Sequence, residues 1–200
     1  FIMSKTIKIF VPIFLLLLLI SAYISPFIET SERISNDVFR LHILANSNEE
    51  YDQNLKLKVR DAVLEKGQSV FTDCSSLNEI INSCENNIDL FEETAAECIK
   101  ENGYNYDVNV YVDKEYFNTR EYEEITLPSG IYNALKIEIG EAKGCNWWCV
   151  MFPAICLSAV SESEMNEILD EEEIELINSN NKFEIRFKIV EIYEKIKSSL

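Results

Sequence analysis

His42 is the only histidine in the sequence, so any general-base chemistry that uses histidine must use this residue. It lies in Arg40-Leu41-His42-Ile43, a pattern typical of a strand, and Ser47 follows without the strained turn that exposes a nucleophilic serine. We therefore interpret His42 as a sheet residue that is hydrogen-bonded to its neighbours. The alternative function is that of an exported cell-envelope hydrolase, which would use His42 or acidic side chains.

The six cysteines are the next candidates for chemistry. Cys145, Cys149 and Cys156 could supply three sulfurs beside the histidine nitrogen, but their spacing lacks the close pairing of common zinc sites, so no metal site is predicted. Cys149 and Cys156 are the favoured disulfide pair, because they bracket a short loop that contains aromatic residues and a proline. Disulfide bridges and buried thiols are equally compatible with Cys74, Cys84 and Cys98.

Acidic side chains are too numerous to mark a catalytic pair. Eight of them fall between Glu162 and Glu175 with no basic residue among them, a pattern typical of a solvated face. The glycines match no phosphate-binding motif, so no cofactor is predicted. Over the whole chain, 18 Lys and Arg face 35 Asp and Glu, a net charge of −17. Such a surface repels phosphate backbones, which excludes nucleic acid and favours a protein partner.

The N-terminal segment indicates export. Lys5 and Lys8 precede an apolar run from Ile9 to Ile20, which has the proportions of a secretory signal. Cleavage after Ala22 would release the protein. An uncleaved segment would anchor it in the membrane, although the run is shorter than the roughly 20 residues of a full span. Residues 1–25 are therefore predicted to be a signal peptide or membrane anchor, and the protein to be extracytoplasmic. A tethered structural protein is a further alternative.

The elements that position these residues follow from hydrophobic periodicity. Residues 26–37 are predicted to be a linker, and Ser47 to cap the first helix. The predicted elements follow one another in the order β-α-α-β-β. They are strand Val38–Asn46, helix Glu49–Phe71, helix from Ser75 or Ser76 to Lys100, strand Val108–Val112, a turn at Leu127–Gly130, and strand Tyr132–Gly140.

This order predicts a single α+β domain over residues 38–160, with two helices packed on a small antiparallel sheet. Residues 161–200 are predicted to form an acidic segment and a C-terminal amphipathic element. Within that element, residues 182–197 fit a helix and a strand, and the sequence leaves the choice open.

Two segments stand out from the rest. The first runs from Phe39 to Val63 and carries a local basic patch in an acidic chain, formed by Lys56, Lys58 and Arg60. The second, Gly144–Cys156, holds both tryptophans side by side. Adjacent tryptophans point in different directions, so both are not expected in one core, and large aromatics left at a surface often anchor partners. Packing of both onto the sheet beside a disulfide is the alternative.

The motifs LHILANSN, DQNLKLKVRDAVL and LPSGIYNALKIEIGEAKGCNWWCVMFPAIC resemble the stage II sporulation protein R family, over about Val38 to Cys156 and the leader. The chain departs from the family at Ala154-Ile155. The resemblance implies a signalling protein, with no enzymatic activity, that is exported from the forespore into the space between the forespore and mother-cell membranes. There it would activate a membrane-embedded aspartic protease that removes the pro-sequence of sigma-E.

The expected contact surface combines the two segments, and differential binding to the active, dimeric protease would supply the driving force. The residues expected to contact the protease are Arg40, His42, Asn46, Ser47, Asp52, Gln53, Lys56, Lys58, Arg60, Asp61, Asn146, Trp147, Trp148, Phe152 and Pro153.

Overall fold

The computed structural model describes residues 5–122, 125–152, 169–178 and 184–198, which form six helices and six strands. In chain order the elements are α1 (Lys5–Asp37), β1 (Phe39–Leu44), α2 (Glu50–Phe71), α3 (Leu77–Asn86), α4 (Ile88–Glu101), β2 (Val108–Phe117), β3 (Arg120–Tyr122), β4 (Ile125–Leu127), β5 (Gly130–Ile139), β6 (Asn146–Phe152), α5 (Glu171–Ile177) and α6 (Glu184–Ser198).

Four strands form the main sheet in the order β2-β5-β1-β6. β1 runs parallel to β5 and antiparallel to β6, and β2 runs antiparallel to β5. β3 and β4 form a separate two-stranded ribbon. The predicted α+β class is confirmed. The sheet is mixed instead of wholly antiparallel, because the chain between β1 and β5 is long. It contains α2 to α4 and β2 to β4, and it brings β5 alongside β1 in the same direction.

Side chains along β1 alternate between the two faces of the sheet, as strand geometry requires. Phe39, Leu41 and Ile43 are buried on the first face, under α2, α3 and α4. Arg40 and His42 lie on the second face, where they contact Phe117. The sheet therefore has a hydrophobic core on each side, and β1 is inaccessible from both.

The helical layer on the first face differs in one respect from the sequence prediction. The predicted helix from Ser75 or Ser76 to Lys100 is two helices, α3 and α4, which meet at Asn87. The backbone of Asn87 is not helical, and its side chain donates to the Ser83 carbonyl oxygen at 2.7 Å. Such local bonding competes with helix continuation, and periodicity alone does not reveal it. Ser76 is the N-cap of α3, bonded to the Glu79 amide.

The second face is covered by α1, α5 and α6. Residues 26–37, which the sequence predicts to be a linker, are the last third of α1. Phe27 and Ile34 are buried in the second core, and the Phe27 ring packs edge-on against Phe187 of α6. These apolar residues share one helical face but are sparse among polar neighbours, so the segment resembles a linker in composition.

The first part of α1 is apolar all round. Every side chain from Ile7 to Tyr23 is exposed, and α1 is long and apolar enough to cross a membrane. This helix is compatible with the predicted signal or anchor segment. At 1.5 Å per residue, the whole of α1 is about 50 Å long and connects the apolar segment to the second core without an intervening loop.

The structure gives the secondary structure of the tryptophan segment and of the C-terminal segment. The loop predicted around the tryptophans is the strand β6 up to Phe152. The C-terminal segment, for which the sequence leaves helix and strand open, forms the helix α6. The β3–β4 ribbon is not foreseen from the sequence, because each of its strands has only three residues.

Truncation of α1 tests whether its last third belongs to the folded domain. Deleting residues 1–25 should leave the free energy of unfolding essentially unchanged. Deleting residues 1–37 should lower it by roughly 3–6 kcal/mol, at about 1.5–3 kcal/mol for each large apolar side chain lost from the core. Urea unfolding followed by circular dichroism measures both values. Equal stability of the two truncated proteins would show that residues 26–37 are a linker.

Candidate functional site

A hydrogen-bonded network joins the β1–α2 loop to the first turn of α2. The Ser47 hydroxyl and the Asn46 amide both donate to Oδ2 of Asp52, at 2.6 and 2.9 Å. Gln53 donates to the Ser47 carbonyl oxygen at 2.7 Å. Asp52 is buried at the N-terminal end of a helix, where a negative charge is favourable. Ser47 thus bonds a side chain within α2, and the N-cap position is occupied by Glu49.

The same network fixes the loop between β5 and β6. Asn46 accepts from the Glu141 amide at 2.9 Å, and its backbone accepts from Lys143. Gly144 approaches so closely that a Cβ there would overlap the Ser47 carbonyl oxygen. Gly140 has a φ of +58°, and a Cβ would overlap the Asn46 side chain. Glycine is therefore required at both positions, which explains why the two motifs occur together.

Hydrogen bonding keeps Asp52 ionised despite its burial. Burial by itself raises the pKa of this carboxyl. The donors on Ser47 and Asn46, with the nearby Tyr106 hydroxyl, outweigh that effect and hold the pKa below its ordinary value. The charge of Asp52 consequently stabilises the loop at neutral pH.

The predicted basic patch is divided among different surroundings, because residues two apart on a helix do not share a face. Lys56 is buried, and its ammonium donates to Gln53 Oε1 and to the Cys145 carbonyl oxygen at 2.6 and 2.7 Å. Lys58 is exposed and donates to Asn102. Arg60 is half-buried and pairs with the exposed carboxylate of Asp61 at 2.6 Å.

His42 is a buried sheet residue with both ring nitrogens engaged. Nδ1 lies 2.5 Å from Glu115 Oε2, and Nε2 lies 2.8 Å from Asn146 Oδ1. Lys136, directly opposite on β5, lies 3.7 Å from the same Glu115 carboxylate. Neither nitrogen faces a hydroxyl or thiol among the described residues, so this arrangement does not activate a nucleophile.

Arg40 is fully buried on the second face. Its Nε donates to the Cys149 carbonyl oxygen at 3.1 Å, and its guanidinium carbon lies 4.3 Å from the Phe117 ring centroid and 4.9 Å from that of Tyr132. A further hydrogen bond to the Tyr122 hydroxyl, at 2.5 Å, ties the β3–β4 ribbon to the sheet. Aromatic faces and backbone oxygens thus compensate the buried charge.

The two tryptophans lie on opposite faces of the edge strand β6, and both are half-buried. The Arg60 guanidinium carbon lies 4.7 Å from the Trp147 ring centroid, and that of Arg120 lies 4.0 Å from the Trp148 ring. On the second face, the His42 ring is 5.7 Å from Trp148. The prediction that the two rings do not share one core is confirmed, because Trp147 packs against the first core and Trp148 against the second. Each ring is sandwiched between the sheet and an arginine.

Two further predicted residues, Asn146 and Phe152, are the first and last residues of β6. Asn146 is exposed, and Phe152 is half-buried against the first core.

Cys149 is disulfide-bonded. Cys156 and Pro153 lie outside the described residues, so the predicted Cys149–Cys156 pair stays a prediction. Four cysteines are free thiols, and burial raises the pKa of Cys84 to about 12; the four are Cys74, Cys84, Cys98 and Cys145.

The predicted site residues therefore divide into an internal set and a surface set. Arg40, His42, Asp52 and Lys56 are buried and hold loops and strands together. Those at least partly accessible are Asn46, Ser47, Gln53, Lys58, Arg60, Asp61, Asn146, Trp147, Trp148 and Phe152. Within the described part of the chain, no group of three or more metal-binding side chains occurs.

Comparison with known proteins identifies the family. The model of the stage II sporulation protein R family matches residues 35–162. The chain belongs to the stage II sporulation protein R family. It is 34% identical over 168 residues to stage II sporulation protein R of Bacillus subtilis (strain 168), a match that covers 81% of this chain and 75% of that protein. No solved structure matches the chain.

Family membership gives the chain a role in sporulation. The matched range begins near the end of α1 and includes β1 to β6, so it contains the Asp52 network and both tryptophans. Two partners of these residues were not foreseen from the sequence, Glu115 beside His42 and Arg120 over Trp148. Each of these two residues is distant in sequence from the ring that it contacts, and no pattern in the sequence around it predicts that contact.

The Asp52 network generates a pH-dependent prediction. Asp52→Asn should lower the free energy of unfolding by about 1–3 kcal/mol at pH 7, because it removes a charged acceptor from buried donors. Since the folded-state pKa of Asp52 is depressed, its contribution is present above the unfolded pKa of about 3.9 and is lost as pH falls through the folded value. The difference between variant and wild type should therefore shrink below about pH 4.

Denaturant unfolding of the full chain at pH 7, 5 and 3 measures this difference. Asp61→Asn is the matched control on the same helix, because Asp61 is exposed. Its effect should stay within about 1 kcal/mol at each pH. A difference for Asp52→Asn that is equal at all three pH values would contradict the electrostatic role of Asp52.

Proposed function

We propose that this chain is an exported signalling protein that activates a membrane-embedded aspartic protease and so triggers processing of pro-sigma-E in the mother cell. The observation that carries the proposal is family membership combined with the architecture of α1. An exposed apolar helix leads directly into the second core. A domain attached in this way would stay close to the bilayer, where a membrane-embedded protease is accessible. If the leader were cleaved after Ala22, residues 23–37 would remain to complete the core.

The proposed mechanism is binding without bond-making chemistry. The buried polar members of the motif are engaged by hydrogen bonds to other residues of the domain. The accessible members lie in the β1–α2 loop, on α2 and on β6. A surface held in this way loses little entropy on binding, so contact energy is available to favour the active state of the protease. The proposed contacts are Trp147 and Trp148, with Arg60 over the Trp147 ring. Lys58, which is exposed on a different face of α2, is a further proposed contact.

Reconstitution tests the proposal. The protease and pro-sigma-E are placed in lipid vesicles with and without this chain. We expect the chain to raise the cleavage rate at least about tenfold, which requires about 1.4 kcal/mol of preferential binding to the active state. An equal cleavage rate without the chain would remove the proposed function.

Single replacements in β6 test the contact surface. Trp147→Ala and Trp148→Ala should each reduce activation by about tenfold or more, since buried aromatic anchors contribute about 2 kcal/mol or more. Trp147→Phe and Trp148→Phe retain an aromatic ring under the arginine and serve as controls for folding. Full activation by a correctly folded alanine variant would exclude that ring from the interface.

Replacement of His42 separates this proposal from an exported envelope hydrolase. His42→Gln keeps a polar side chain between Glu115 and Asn146, so we expect a loss of roughly 1–3 kcal/mol in stability and activation within about twofold of wild type. The vesicle cleavage assay and denaturant unfolding measure the two effects. Substrate turnover by the purified wild-type chain that disappears in His42→Gln would establish the enzyme instead.

A further inference from the structure

Three tyrosines form a stack at the end of the sheet where β1 and β5 finish. Tyr51 is in the first turn of α2, and Tyr104 and Tyr106 are in the loop between α4 and β2. The ring centroids of Tyr51 and Tyr104 are 6.2 Å apart at 11°, and those of Tyr104 and Tyr106 are 5.6 Å apart at 22°. We call these three residues the tyrosine face. Tyr51 is 50% exposed, and the other two are half-buried against the first core.

The backbone that carries the tyrosine face is held at both ends. The Tyr104 amide donates to the Ile99 carbonyl oxygen at 3.1 Å, which closes the end of α4. Gly103 has a φ of +83°, as expected where a helix ends in a left-handed turn. Further along the loop, the Asp107 carbonyl oxygen accepts from Gly140 at 2.8 Å. The rings are therefore fixed before any partner binds, and binding orders few groups.

The surroundings of the tyrosine face are acidic. Residues 45–54, 100–107 and 140–145, which supply the face and the adjoining loops, contain six carboxylates and two lysines. One of these lysines, Lys143, already pairs with Glu141 at 2.9 Å. Lys58, one turn beyond on α2, donates to Asn102. Three carboxylates adjoin the rings in sequence. Asp52 is buried in its own network, whereas Glu50 and Asp107 are exposed.

The tyrosine face differs from the two tryptophans in its contacts with cationic side chains. Trp147 and Trp148 each carry an arginine of this chain on the ring. Among the described residues, the cationic side chains that lie over aromatic rings do so on rings outside the tyrosine face. The negative π-faces of the tyrosines and the neighbouring carboxylates both attract a cation. A guanidinium suits this surface best, since it stacks on rings and bonds carboxylates at the same time.

We propose that the tyrosine face binds an arginine-bearing segment of a protein partner. A guanidinium group of the partner stacks on Tyr51, the exposed ring at the end of the stack, and Tyr104 supports that ring from beneath. Glu50 and Asp107 pair with the partner's guanidinium groups. The proposal rests on the proposed function for the identity of the partner, and on the tyrosine face itself for the chemistry. This surface lies at the opposite end of β1 from the junction with α1, beside the Asp52 network that fixes the loops.

A peptide-binding experiment tests the chemistry. The full chain is placed in nanodiscs of zwitterionic lipid and titrated with a fluorescent dodecapeptide that contains four arginines separated by glycine and serine. The Tyr51→Ala/Tyr104→Ala variant has the charge of the wild type, so it isolates the contribution of the rings. We expect about twofold to fivefold weaker binding, the contribution of one exposed ring that stacks with a guanidinium. Tyr51→Phe/Tyr104→Phe, which keeps both rings, should bind within about twofold of wild type.

Equal affinity of the alanine variant and the wild type would overturn the proposal, since attraction would then come from net charge alone. Absence of measurable peptide binding to the wild type would overturn it as well. Glu50→Gln/Asp107→Asn should weaken binding and reduce its dependence on salt. Unchanged binding by this variant would contradict the pairing with carboxylates.

A photo-crosslinking amino acid at position 51 identifies the partner in sporulating cells. The same group at position 131, which is exposed at the other end of β5, is the control. A cross-link from position 51 to a basic segment of the aspartic protease supports both proposals. A cross-link to a basic segment of another protein supports the tyrosine face and contradicts the proposed function. A cross-link to a segment without basic residues, or the same products from both positions, overturns the assignment of the tyrosine face.

Discussion

The other layers of the domain are arranged around β1, which is buried on both of its faces. Its apolar residues close the core under α2 to α4, and its polar residues, Arg40 and His42, point into the other side of the sheet. Burying these two side chains without partners would be costly, so both need partners there. Phe117, Tyr122, Glu115 and Asn146 supply those contacts from β2, β3 and β6. The two polar side chains of the six-residue strand β1 therefore require β2, β3 and β6 to lie close to it.

The residues of the family motifs divide into those that hold the loops together and those that are accessible. Asp52, Lys56 and the two loop glycines stabilise the junction between the β1–α2 and β5–β6 loops, so a large part of the family motif maintains shape. The accessible residues then stand on a rigid support. This division is what a binding protein requires, because affinity depends on a few exposed anchors and on the order imposed beneath them.

Most helices and strands could be predicted because their periodicity is local. β1, α2, β2 and β5 each show an alternating or helical pattern that matches the burial in the structure. The break at Asn87 and the helical state of residues 26–37 could not be predicted. The first depends on one side-chain hydrogen bond, and the second on apolar residues that find a core only when α5 and α6 are in place.

The fold class, the family, the apolar N-terminal segment and the separation of Trp147 from Trp148 could be read from the sequence, because each of these follows from patterns along the chain. The accessibility of the motif residues depends on tertiary contacts, since the burial of Arg40, His42, Asp52 and Lys56 depends on strands and loops distant in sequence. The tyrosine face belongs to the same category. Tyr51 and Tyr104 are 53 positions apart, and only the packing of α2 against α4 brings their rings into contact.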